Sequence, residues 1–122
     1  MPNPPAVVYV YSGCSTCRDA VKWLNAQKIA FVEKPIRETP PSLAELKQML
    51  AVQNGNLRRL FNTSGLEYRA LKLSDKLPAM KESEALALLA GNGKLVKRPF
   101  VLGDKFGFVG FDEKAWSAAF KP

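Results

Sequence analysis

Histidine is absent from the 122 residues of this chain. That absence removes Cys–His dyads, Ser–His–Asp triads and imidazole metal ligands. Acid–base chemistry is left to Cys, Lys, Tyr, carboxylates or the substrate itself. Cysteine is scarce, with two residues in all. Long apolar runs are missing as well: none reaches the roughly 18 residues of a membrane span. The start, Met1-Pro2-Asn3-Pro4-Pro5, carries no basic n-region and no apolar h-region, so it reads as a short free arm rather than a signal peptide. The expectation is a soluble cytoplasmic protein without membrane contact. Acidic residues are outnumbered, 11 Asp and Glu against 18 Lys and Arg, for a net charge of +7. A basic surface attracts anions of several kinds or is merely solvated. No helix-turn-helix and no aromatic stacking motif accompanies the charge, so nucleic acid is not an expected partner.

What is present fits an ordinary globular chain. Hydrophobic residues make up 47% and charged residues 24%, and this length suffices for one domain with a real core. Both cysteines fall in one stretch, Tyr11-Ser12-Gly13-Cys14-Ser15-Thr16-Cys17-Arg18. Val7 to Tyr11 is a compact apolar run, a buried strand. Gly13 breaks it. From Thr16 the apolar spacing becomes helical, with Ala20, Val21 and Leu24 on one face to about Gln27. Trp23 flanks that stripe as core. Ile29 to Val32 reads as a second strand, parallel to the first across a helical crossover.

The prolines of Thr39-Pro40-Pro41 end that segment. Ser42 with Glu45 forms a capping box ahead of Leu43, Leu46, Met49 and Leu50. Further helical pieces are expected over Leu57–Phe61, Tyr68–Leu73 and Glu82–Ala90, closed by Gly91-Asn92-Gly93. The β pattern returns at Arg98–Leu102. Gly103-Asp104 signals a two-residue turn, and Lys105–Phe111 is the return strand. Gly107 and Gly110 within it suggest a bulge or close backbone approach. Asp112 caps a last helix, with Phe111 and Trp116 at the two positions of a hydrophobic staple. The order β-α-β, helices, β-β-α makes an α/β chain with a mixed four-stranded sheet. That is a thioredoxin-like fold with an all-helical insertion. The expected division is one domain over 1–122, with a core of 6–38 and 94–120 and an insertion over 42–90.

The chemistry centres on Cys14. It sits where a helix begins, and the unpaired N–H groups there favour an anion. The thiolate is the reactive form of cysteine. Cys14 is therefore the candidate nucleophile. Cys17, one turn further in, is the candidate resolving thiol of an intramolecular disulfide. Ser15 and Thr16 offer hydroxyls to the Cys14 sulfur or to a bound oxyanion. Two alternatives stand beside this: inert buried cysteines, and a lone Cys14 with a structural Cys17. A closed zinc site lacks ligands, since two thiols supply half of the usual four. Arg98, before Pro99, belongs to a hairpin expected beside the first strand. There a guanidinium stabilises a thiolate and grips an oxyanion bidentately. Arg58, Arg59 and Arg69 are further cations of the helical segment. Composition alone favours a trans Arg98–Pro99 bond.

Four segments together resemble the ArsC/Spx family: Tyr11 to Arg18, Ile36-Arg37-Glu38-Thr39-Pro40-Pro41, Leu60-Phe61-Asn62-Thr63-Ser64-Gly65-Leu66-Glu67-Tyr68-Arg69, and Lys97-Arg98-Pro99-Phe100. That family holds glutaredoxin-dependent arsenate reductases and Spx-type redox regulators. The resemblance implies a redox Cys14 faced by Arg98 ahead of a cis Pro99. It implies no bound cofactor, with glutathione, glutaredoxin or thioredoxin as electron donor and a small oxyanion or a thiol or disulfide as substrate. A second oxyanion-binding arginine is expected at Arg58 or Arg59. A third is expected after the hairpin, where this chain has Val109-Gly110-Phe111. Cys17 is a second departure, because the single-cysteine reductases lack it and the Spx-type proteins carry a C-x-x-C. The alternative function is an Spx-like redox-sensing regulator that binds the RNA polymerase α subunit without catalysis.

Overall fold

β1 (Ala6–Val10) is the strand on which the other three are assembled. Its side chains alternate by the two-residue period of a strand. Ala6, Val8 and Val10 enter one apolar cluster, and Tyr9 enters another on the opposite face. The computed structural model describes residues 5–120, so residues 1–4 of the expected N-terminal arm lie outside the described residues. β1 runs parallel to β2 (Phe31–Pro35), in register from Ala6 opposite Phe31 to Val10 opposite Pro35. On its other edge it pairs antiparallel with β3 (Phe100–Leu102), which pairs antiparallel with β4 (Gly107–Val109). The sheet order is β2-β1-β3-β4. This is the mixed four-stranded sheet of a thioredoxin-like α/β fold.

α1 (Ser15–Ala26) connects β1 to β2. Its inner stripe, Cys17, Ala20 and Leu24, packs with Val8, Val10 and Val101. The second strand starts at Phe31, not Ile29. Lys28 takes a positive φ of 56°, and the Ile29 N–H still donates to the Leu24 carbonyl, so the helix end consumes those residues. The strand also continues to Pro35, which is tolerated because β2 is an edge strand.

Between β2 and β3 the described elements are helical. They are α2 (Leu43–Val52), a 3-10 turn at Leu57–Leu60, α3 (Leu66–Ala70), α4 (Leu73–Lys76), a 3-10 turn at Leu77–Ala79, α5 (Glu82–Gly91) and a 3-10 turn at Gly93–Leu95. The single helix expected over Tyr68–Leu73 is split, because Lys72 adopts a left-handed conformation with φ of 54°. One β-bridge interrupts the helical stretch, Phe61 opposite Val96. The helices bury Leu46, Met49, Leu60, Leu73, Leu86 and Leu89 against Tyr9, Phe100 and Leu102. Each such side chain is worth roughly 1.5–3 kcal/mol when fully buried. The capping box of α2 is tied into the sheet. Glu45 Oε1 accepts from the Ser42 N–H at 2.9 Å and from the Tyr9 hydroxyl at 2.7 Å.

The hairpin turn is longer than two residues. The strands stop at Leu102 and resume at Gly107, and the Gly103 N–H donates to the Phe106 carbonyl. The return strand ends at Val109, short of Phe111. Gly107 is a close approach, as expected: a Cβ there would lie 2.9 Å from the Met49 sulfur. Gly110 lies beyond the strand with φ of 85°. Phe111 is instead the staple of α6 (Glu113–Ala119), its ring 4.7 Å from that of Trp116, while Asp112 caps the Ala115 N–H. Trp116 is fully buried, with Trp23, Phe108, Phe111 and Phe120 around it. Thus α1 and α6 share one face of the sheet and the inserted helices cover the other.

Candidate redox site

β1 ends and α1 begins within four residues, and Cys14 is the N-cap between them. Its φ and ψ of −102° and 114° are extended, as an N-cap requires. The Cys14 N–H donates to the Tyr11 carbonyl at 3.0 Å and closes the turn. Gly13 is needed there, because a Cβ would strike the Tyr11 ring at 2.5 Å. Arg18 reaches back from α1 and donates through Nη1 to the Ser12 carbonyl at 2.7 Å. The nucleophile candidate thus sits on a turn braced by its own helix.

Cys14 Sγ accepts the Cys17 backbone N–H at 3.2 Å. A sulfur takes the place of the usual Ser or Asp oxygen, and the cap geometry favours its anion. Burial pushes the Cys14 thiol up. The Cys17 thiol, the Cys17 N–H and the Arg98 guanidinium outweigh it and hold the thiol below its ordinary range. Cys17 lies at the third helical position and faces the core, 1% exposed. Burial, and then the hydrogen bond to Cys14, push its thiol up to about 12. The two cysteines are not linked to each other.

Arg98 is half-buried on the strand side of the turn. Its peptide bond to the buried Pro99 is cis, as the family resemblance implies and contrary to the trans bond that composition favours. The Gly110 N–H donates to the Pro99 carbonyl at 2.9 Å, fixing the end of β4 beside the proline. Cys14, Cys17 and Arg98 are therefore brought together. Ser15 and Thr16 are exposed in the first turn of α1. Arg58 and Arg59 go elsewhere. They line a separate depression of about 250 Å³ with Lys97, Thr63 and Val109, which neither cysteine lines. Among the described residues no three His, Cys, Asp or Glu side chains gather as a metal site, and no helix is long and apolar enough to cross a membrane.

Two neighbours of the site escaped the sequence reading. The Tyr11 ring carries the Arg37 guanidinium at 3.7 Å and the Arg98 guanidinium at 5.0 Å from its centroid. The signal was present in the register. Parallel pairing that ends at Val10 opposite Pro35 sets Ile36 and Arg37 beside Tyr11 and Ser12.

Comparison with known proteins agrees with this layout. The ArsC family model matches residues 9–119. The uncharacterized protein YusI of Bacillus subtilis (strain 168) is 45% identical over 105 residues, covering 86% of this chain and 89% of its own. The global transcriptional regulator Spx of Enterococcus faecalis is 30% identical over 107 residues, covering 87% and 79%. The crystal structure of a Bacteroides fragilis protein described as related to the ArsC family superposes with a TM-score of 0.89 at 42% identity, over 96% of this chain and 98% of that one. The match runs through the cysteine cap, the helical insertion and the cis proline alike, and the chain belongs to the ArsC family.

Proposed function

We propose that the chain is a thiol-redox protein that exchanges electrons with a disulfide or a small oxyanion through Cys14. The observation that carries the reading is the Cys14 sulfur at the helix cap, 3.2 Å from the Cys17 N–H and facing Arg98. The Cys17 thiol and N–H and the Arg98 guanidinium raise the thiolate fraction of Cys14 above that of an ordinary thiol, whose pKa is about 8.5. The steps follow from this asymmetry. The Cys14 thiolate attacks one sulfur of a disulfide, forming a mixed disulfide and releasing the first thiolate. Cys17 then gives up its proton and attacks the Cys14 sulfur, releasing the second thiolate and closing the Cys14–Cys17 bond. Two electrons pass from the protein to the substrate. Glutathione, glutaredoxin or thioredoxin restores the dithiol, which a reducing cytoplasm supplies.

A dedicated arsenate reductase is favoured less. Cys17 provides an internal resolving thiol, and no arginine follows the hairpin at Gly110-Phe111. The nearest side chain to that glycine is Lys97, whose Cε lies 3.6 Å from where a Cβ would be. The test is NADPH turnover in a coupled glutathione assay with arsenate or a disulfide. Turnover lost in Cys14→Ser supports the reading, and turnover equal to that of Cys14→Ser refutes it.

A second reading draws on the C-x-x-C pair and the 30% identity to Spx. Here Cys14–Cys17 oxidation governs binding to a transcription partner, the RNA polymerase α subunit. A pull-down with that subunit in both redox states decides it, and absence of binding in both rejects it.

A further inference from the structure

Three cations converge beside the redox turn on a pocket of about 520 Å³, lined by Arg37, Lys94 and Arg98 together with Asn62, Leu66 and Glu67. The convergence is built into the backbone. Gly93 lies flat against the chain leaving β2, where a Cβ would collide with the Ile36 carbonyl and come within 3.1 Å of the Arg37 Cα. That close approach seats Lys94 next to Arg37. The Tyr11 ring, packed over Gly13, holds Arg37 on its face and has Arg98 5.0 Å from its centroid. Like charges gathered on one ring repel, and an anion between them relieves the repulsion. Glu67 offsets one of the three positive charges and leaves the pocket cationic. Leu66, 82% exposed, adds an apolar edge.

We propose that this pocket is an anion subsite that selects thiol or disulfide substrates bearing a carboxylate, with Arg37 as its specificity-determining residue. It rests on the reading of Cys14 as the exchanging thiol, and Arg98 is the residue shared by nucleophile and subsite. The carboxylate is gripped by guanidinium N–H groups. The short aliphatic chain behind it lies toward Leu66, and its sulfur is carried past Arg98 to Cys14. Arg37 is exposed and stacks on the half-buried Tyr11 ring from outside, so its removal uncovers one ring face and opens no cavity in the core.

The test compares two small disulfides, anionic dithiodipropionate and neutral hydroxyethyl disulfide, in stopped-flow exchange with the reduced protein. The wild type is expected to react faster with the anionic probe. Arg37→Ala should lose about tenfold of that rate, the scale of one charge-assisted contact, with the neutral probe unaffected. Arg37→Lys should recover part of it. Lys105→Ala, at the far end of the hairpin, removes an equal charge and should change nothing. Equal loss with both probes, or an unchanged ratio in Arg37→Ala, overturns the proposal. If neither probe reacts, the exchange reading fails. The subsite is then decided by calorimetry with S-methylglutathione, an unreactive carboxylate: binding weakened about tenfold in Arg37→Ala sustains it, and equal or absent binding in both proteins overturns it.

Discussion

Cys14 and Cys17 stand one helical turn apart and are treated oppositely by the fold. Cys14 is the cap, half-buried, with its sulfur on the Cys17 N–H and Arg98 opposite. Cys17 is two residues inside the helix, on the stripe that faces Val8, Val10 and Trp116. The same side chain is held below its ordinary pKa at one position and pushed up to about 12 at the other. Position along the first turn of α1 thus separates a thiol held below its ordinary pKa from one held above it. The contrast also explains why each needs the other. The proton that Cys17 keeps is the one it donates toward the Cys14 thiolate, so the pair shares a single negative charge.

The largest effect comes from deleting one member of the pair at a time. Cys14→Ser should bring disulfide exchange down to the uncatalysed background. Cys17→Ser should keep the first exchange at a comparable rate and stop at a stable mixed disulfide on Cys14, seen as the mass of one added substrate half. A trapped adduct on Cys17 instead would reverse the assignment of roles.

Arg98→Ala sharpens the contrast from the strand side. The variant loses a cation that favours the Cys14 thiolate, so its exchange rate at neutral pH should fall several-fold. The sign follows from the depressed pKa. The wild-type rate persists as pH falls below the ordinary thiol range, whereas the variant's rate drops off at higher pH. With neutral hydroxyethyl disulfide, which leaves the carboxylate subsite unused, the two curves should meet once pH exceeds about 8.5, where even an ordinary thiol ionises. Parallel curves offset at every pH would mean that Arg98 acts on the substrate and not on the thiolate.

The smallest effect is on stability in alkali. Cys17 has a folded pKa raised to about 12, above the roughly 8.5 of an unfolded thiol. Between those values the unfolded state binds fewer protons than the native state, so stability falls as pH rises. Cys17→Ala should flatten that slope in urea midpoints, most clearly below about 10, where unfolded tyrosines still hold their protons. Tyr9 adds a similar slope higher up, because burial and its bond to Glu45 raise its pKa.

Much of this was legible in the chain. The C-x-x-C at a strand-to-helix break, the Ser42–Glu45 box and the Phe111–Trp116 staple are local patterns, and local patterns survive folding. The second strand was displaced by two residues because the end of α1 is set by the left-handed Lys28, which apolar spacing does not report. The 66–76 helices split at Lys72 for the same reason. The cation partner was harder. Arg58 and Arg59 attract notice as a pair, yet they line a separate depression with Lys97. Arg37 is a lone residue after an edge strand, and only the parallel register carries it to Tyr11.

At the cap of α1, Cys14 is held below the ordinary thiol range by the Cys17 thiol and N–H and by Arg98. Ultraviolet titration of thiolate absorbance in the reduced protein tests it most directly. Two well-separated steps are expected, one below and one well above the ordinary thiol value, with the lower step missing in Cys14→Ser. A single step near about 8.5, or a lower step that survives in Cys14→Ser, would contradict it.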